Sequence, residues 1–171
     1  MSLAESLIFE LNQEVETTKR HFSRIEATHF EFKPHEKSMT MGRLAAHSVE
    51  TLGWANEIVN LDVFEFDMEN HKAAVATSQA ELLAMTDQNL KVAVDALQSK
   101  ADEELFKPWK MVAGGQTMME GVPKAVVLRS FVISHMIHHR GQLTVYMRLC
   151  EIPLPKTYGP TADEPEMDFA D

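Results

Sequence analysis

The stretch VISHMIHHRGQ, residues 132–142, sets three histidines within five positions of an apolar run and closes on Arg-Gly-Gln. Extended both ways, Leu128, Val132, His135, His139, Gln142 and Tyr146 recur at steps of four and three, the period of one helix face. The spacing predicts a helix from Pro123, whose missing N–H is not needed in a first turn, to about Cys150, ended by Pro153 and Pro155. His135 and His139 then point inward, one above the other about 40° apart, so both imidazoles reach a single ion about 2.0 to 2.1 Å from each nitrogen. The pair His135 and His138 is also geometrically open.

Working back along the chain, Leu7, Leu11, Val15, Thr18, Phe22 and Ile25 make one stripe of a first helix from Leu3 to about Ala27. THFEFKPHEKSMT reads as a loop ending in Ser38 or Thr40 as N-caps, with His29 and His35 in it. A second helix from about Met41 to Asn60 has the seam Thr40, Leu44, His47, Thr51, Trp54, Ile58 and Leu61, so His47 also faces the interior. LDVFEFDMENH reads as an acidic, aromatic loop with a solvated His71. Ser78 and Glu81, in capping-box spacing, open a third helix that places Leu83, Leu90, Val94 and Leu97 on one side and ends near Lys100. Residues 101–122 carry Pro108, Gly114, Gly115 and Gly121, which break a helix, and the Gly-Gly pair suits a small hairpin. Four long amphipathic segments imply an all-α four-helix bundle built from facing seams, as a single domain over residues 1–161. The acidic tail, 162–171, reads as disordered or weakly docked.

Composition sets the outer limits. At 171 residues with 44% hydrophobic and 25% charged side chains, the chain has the makings of one soluble domain, and no run approaches the ~20 apolar residues of a membrane span. The N-terminal residues read directly as an amphipathic helix rather than a secretory signal, and the single Cys150 suits a reducing compartment, so a cytoplasmic location is expected. A net charge of -10 opposes nucleic-acid binding, which depends on Lys and Arg neutralising phosphate.

Three interior imidazoles present up to three donors and three acceptors, at about 1 to 3 kcal/mol for each one left unpaired. A shared ion between His47, His135 and His139 takes up all three acceptors, and the remaining N–H groups then donate to second-shell oxygens, for which Thr51, Gln142 and backbone carbonyls are at hand. The competing reading is three independent core histidines, each with its own partner. Asp62, Glu50 and Glu57 are carboxylates available as a fourth ligand, and the sequence singles out none of them. Three-histidine sets leave at least one coordination position open, the mark of a site that does chemistry. Arg140, about 100° round the helix from His139, reads as pairing with an acidic neighbour on the bundle surface. Tyr146 and Trp54 read as core.

HHRGQLTVYMRLCEIPLPKTYGPTADE, residues 138–164, resembles the end of the DinB-like family (DinB/YfiT-like metalloenzymes), where a helix bearing H-x-x-x-H-R-G-Q leads into a Pro-rich turn and a Y-G-P-S-A-D-E-like tail. EKSMTMGRLAAHSVE, residues 36–50, resembles the start of that family's second helix with its single histidine. The resemblance covers about residues 5 to 164 and departs from the pattern at Thr161 and Cys150. It implies an up-down-down-up bundle, often a homodimer, with zinc or nickel held by His47, His135 and His139, which selects His139 over His138. Characterised members of that family resemble bacillithiol S-transferases and mycothiol-dependent maleylpyruvate isomerases, in which the metal activates a low-molecular-weight thiol. The expected function is therefore a divalent-metal enzyme of S-transferase or hydrolase type acting on a small molecule. The alternative is a non-catalytic, metal-stabilised bundle serving as a dimerisation or interaction protein, with Met39, Met41, Met118 and Met119 as candidate surface residues.

Overall fold

The computed structural model describes residues 1–166. Helix α1, Leu3–Phe22, starts at a capping box in which the Ser2 hydroxyl accepts from the Glu5 amide and the Glu5 carboxylate accepts from the Ser2 amide. Its predicted stripe is buried throughout, from Leu7 to Phe22 and on to Ile25 in the following turn. Thr40 caps α2, Met41–Gly53, as expected. The second helix is interrupted at Trp54, whose amide turns back to the Thr51 carbonyl in a tightened turn, and resumes as α3, Ala55–Asn60.

Ser78 caps α4, Gln79–Leu97, with its hydroxyl accepting from the Glu81 amide. The buried stripe of α4 is Leu82, Thr86, Ala93, Ala96 and Leu97, while Leu83, Leu90 and Val94 are only half-buried. Small residues thus form much of the contact line, and the larger ones flank it. A short α5, Asp102–Leu105, follows. The last long helical stretch is composite: α6, Lys124–Val127, a π-helical segment from Leu128 to Ser134, and α7, His135–Leu149. The wide i→i+5 turn shifts the register, so the fully buried line runs Leu128, Val132, Met136, Leu143 and Met147, and His135, Gln142 and Tyr146 lie along its edge.

The chain is thus mainly helical and bundle-like, with α2 packed against both α4 and α7, and α1 against α4. A three-stranded sheet lies alongside. LDVFEFDMENH contains a strand, β1 (Val63–Phe66), where a loop is expected from sequence. β1 pairs in parallel with β2, Pro108–Ala113, which pairs antiparallel with β3, Gln116–Pro123. The expected Gly-Gly hairpin joins β2 to β3, and both Gly114 (φ 55°) and Gly115 (φ 74°) take the left-handed conformation that a tight hairpin turn demands. Met41 is fully buried and so is no surface residue, whereas Met39 and Met118 are exposed. Among the described residues no helix is long and apolar enough to cross a membrane.

The C-terminal segment is pinned by the residues of the YGPTADE stretch. The Asp163 carboxylate accepts from Arg148 and from the Leu154 amide, and Glu164 accepts from Arg24 and from the Lys156 amide. The part of the expected loose tail from 167 to 171 lies outside the described residues.

Candidate metal centre

Helix α2 presents His47, and the junction of the π segment with α7 presents His135 and, one turn later, His139. The ring centroids are 5.3 Å apart for His47 and His135, 4.7 Å for His47 and His139, and 4.6 Å for His135 and His139. One nitrogen from each ring lies within 4.8 Å of the other two. His138, one position away, is exposed and outside the group.

Two of the rings are oriented by a partner a helical step away. His47 Nδ1 lies 3.0 Å from Glu50 Oε2, and His139 Nδ1 lies 2.8 Å from Gln142 Oε1. Glu50, one of the three carboxylates considered as a fourth ligand, therefore stands behind His47 and fixes its tautomer. Asp62 pairs with Lys124 at 2.9 Å, and Glu57 lines a separate cavity. Thr51, which the sequence offers as an acceptor for a ring N–H, instead donates to the Ser48 carbonyl at 3.0 Å.

Electrostatics keep His135 and His139 neutral and Glu50 charged. Burial pushes the His139 pKa down to about 4, helped by the neighbouring imidazoles, and burial likewise lowers that of His135. Burial opposes ionisation of Glu50, but hydrogen bonds from His47 and the Ala74 amide and the charge of Arg43 outweigh it and hold the carboxyl below its usual range. Arg43 stands 3.3 Å from Glu50 Oε2, and the Ala74 amide donates to Oε1 at 3.0 Å. The Glu50 carboxylate accepts a hydrogen bond from the Nδ1–H of His47, which leaves Nε2 free to face the centre.

His139 Nε2 is buried and has no hydrogen-bond partner among the described residues. A buried nitrogen lone pair left unpaired is costly, and a cation between the three imidazoles would satisfy it. The donor set, three imidazole nitrogens with oriented partners behind two of the rings, suits a borderline divalent ion. By this test the residues fit a metal.

The other histidines are scattered. His29 and His35 sit in the α1–α2 connection, and His71 is exposed with Nε2 3.5 Å from Glu50 Oε1. His21 is fully buried at the end of α1, with Nδ1 2.9 Å from the Thr17 carbonyl.

Arg140 corrects the sequence expectation most clearly. Rather than pairing on the surface, it is 2% exposed and points into the body of the protein, 2.7 Å from Glu14 Oε2. Its guanidinium donates to the Glu14 carbonyl, to Thr18 Oγ1 at 3.2 Å and to the Tyr158 hydroxyl at 2.7 Å, and Tyr158 donates onward to Glu14 at 2.8 Å. The Arg-Gly-Gln that follows the histidines thus divides its labour: Arg140 ties α7 to α1 and to the C-terminal segment, and Gln142 orients His139.

The chain is 32% identical over 129 residues to the uncharacterized protein YrdA of Bacillus subtilis (strain 168), a match spanning 75% of this chain and 71% of YrdA. Its fold is similar to that of a DinB-like protein from Bacillus cereus ATCC 10987, at 23% identity and a TM-score of 0.72, covering 90% of this chain and 97% of that one. A DinB-like protein from Bacillus subtilis, at 18% identity, has a TM-score of 0.67 over 94% of this chain and 99% of its own. The sequence profile of the DinB family matches residues 1–168. With its bundle, its convergent histidines and these likenesses together, the chain belongs to the DinB family.

Proposed function

We propose that the protein is a metal-dependent enzyme in which His47, His135 and His139 hold one divalent ion, zinc or nickel, and a low-molecular-weight thiol or a water is activated beside it. The observation that carries this reading is the buried, unpartnered His139 Nε2 within a cluster of three imidazoles. When bound, the ion would lower the pKa of an incoming thiol or water towards neutrality and so generate a nucleophile.

The chain's own residues do the rest. Glu50 and Gln142 hold the Nδ1 protons of His47 and His139, so the Nε2 lone pairs stay directed at the centre. Burial keeps His139 neutral well below physiological pH, the form in which imidazole ligates. Three protein ligands leave a position for a reactant, and the half-buried His47 and His135 give it a route from solvent. The reading extends to a cytoplasmic homodimer acting on a small molecule by S-transfer or hydrolysis.

The test is a transfer assay on protein loaded with zinc or nickel, using small thiols and 1-chloro-2,4-dinitrobenzene. In that reaction a C–S bond forms, the C–Cl bond breaks, chloride leaves and the thiol proton passes to solvent. Metal-dependent turnover that is lost in His139→Ala supports the proposal. One ion bound per chain with neither thiol transfer nor ester hydrolysis would overturn the catalytic reading in favour of a metal-stabilised bundle.

A further inference from the structure

Beside the histidines, between the sheet and the helices, lies a partly open cavity of about 110 Å³ lined by apolar side chains and by Glu57. Five elements build it: the α2–α3 junction gives Trp54, α3 gives Glu57, β1 gives Phe64 and Phe66, β2 gives Trp109 and Met111, and the π segment gives Phe131. Alternation along each strand puts Phe64 with Phe66, and Trp109 with Met111, on the same sheet face. The Phe64 and Trp109 rings stack with centroids 6.3 Å apart and planes within 19°.

The cavity shares a wall with the histidine cluster. The Trp54 ring, which lines the cavity, lies 6.1 Å from that of His135, and Phe131, also in the lining, is one helical turn before His135. Protein interiors contain few voids larger than water, and an apolar void offers water no partners. Engineered apolar cavities of about 150 Å³ stay dry and take up benzene. A space of similar size with aromatic walls therefore suits one ring or a short branched alkyl group.

We infer that this cavity binds the apolar body of the substrate, a single aromatic ring or a branched alkyl group, with the reactive end turned towards His47, His135 and His139. The orientation rests on the metal-enzyme reading; the binding of the apolar group rests on the cavity alone.

Both tryptophans of the chain, Trp54 and Trp109, line the cavity, so intrinsic fluorescence reports on it directly. The full-length protein, zinc-loaded and metal-free, is titrated with toluene and with phenylmethanethiol, and zinc content is measured separately. Toluene should bind saturably in both forms, with dissociation constants within about threefold. Met111→Phe, which narrows the cavity, should weaken it about tenfold. Saturation-transfer NMR from toluene to Phe64, Phe66 and Met111 checks the site without any variant. The absence of a saturable change up to the solubility of toluene, or transfer to side chains elsewhere, would overturn the binding site. Phenylmethanethiol should bind at least about tenfold more tightly than toluene in zinc-loaded protein only, an advantage lost in His135→Ala. Zinc bound without that advantage would overturn the orientation. Failure to bind zinc with toluene binding intact would overturn the orientation and the metal reading while leaving the apolar site standing.

Discussion

Arg140→Ala should be among the most destabilising single changes in the protein. The guanidinium is 2% exposed and the Glu14 side chain 12%, at 2.7 Å, so truncation leaves a largely buried carboxylate without its cation. Thr18 Oγ1 and the Glu14 carbonyl lose a donor as well, and Tyr158 loses the group it accepts from. Breaking a buried pair from one side costs about 3–5 kcal/mol. For a domain of this size, with about 2–4 °C per kcal/mol, that is a fall in Tm of roughly 6–20 °C. Replacing both charges, Arg140→Met with Glu14→Leu, leaves no orphaned charge and should recover most of the loss. Urea and thermal unfolding of the wild type, both single variants and the double variant, followed by far-ultraviolet circular dichroism, close the cycle. A cost below about 1 kcal/mol for Arg140→Ala, the value of a surface pair, would refute the reasoning. So would a double variant no more stable than the single one.

Three further outcomes follow from the site. Glu50→Gln keeps an acceptor for His47 but removes the charge, and should weaken zinc affinity by about 10- to 100-fold in a chelator-competition titration; unchanged affinity would separate Glu50 from the site. Metal-free protein should lose stability between about pH 6.5 and 4: His139 titrates near 4 when folded and near 6.5 when unfolded, so the unfolded state binds more protons in that window and stability rises with pH. That contribution is at most about 3 kcal/mol, and it should vanish from urea-unfolding curves of His139→Ala taken across the same range. Zinc at about 100 times its dissociation constant should stabilise the fold by about 2.7 kcal/mol, roughly 5–11 °C in a melting scan, with chelator reversing the shift.

The helices were legible where apolar residues keep a regular spacing along one face. The α1 stripe from Leu7 to Ile25 has regular spacing and its structural burial is complete, and the Ser78 and Thr40 caps announce themselves because their partners lie three residues away. Local spacing also carried the histidine partners: Gln142 is three residues after His139 and Glu50 three after His47, both on a shared helix face. Glu50 looked equally suited to ligation, because spacing places a carboxylate near a ring without saying which nitrogen it meets. Non-local pairings were the ones that stayed hidden. β1 finds its partner β2 some 45 residues later, with Val63 opposite Lys110, and the only sequence trace is the alternation of Phe64, Glu65 and Phe66. Arg140 finds Glu14 126 residues away, and a helical-wheel argument on α7 alone cannot see α1. The π segment is a third case, since it shifts the face of the last helix by an insertion in turn width that periodicity takes for continuity.

The most direct test is elemental analysis of protein purified without an affinity tag, wild type beside His47→Ala, His135→Ala and His139→Ala, each checked for folding by circular dichroism. The account predicts about one zinc or nickel ion per wild-type chain, as one three-histidine cluster allows, and its loss from each folded variant. A wild-type protein that is metal-free as isolated and takes up neither ion on addition would contradict it.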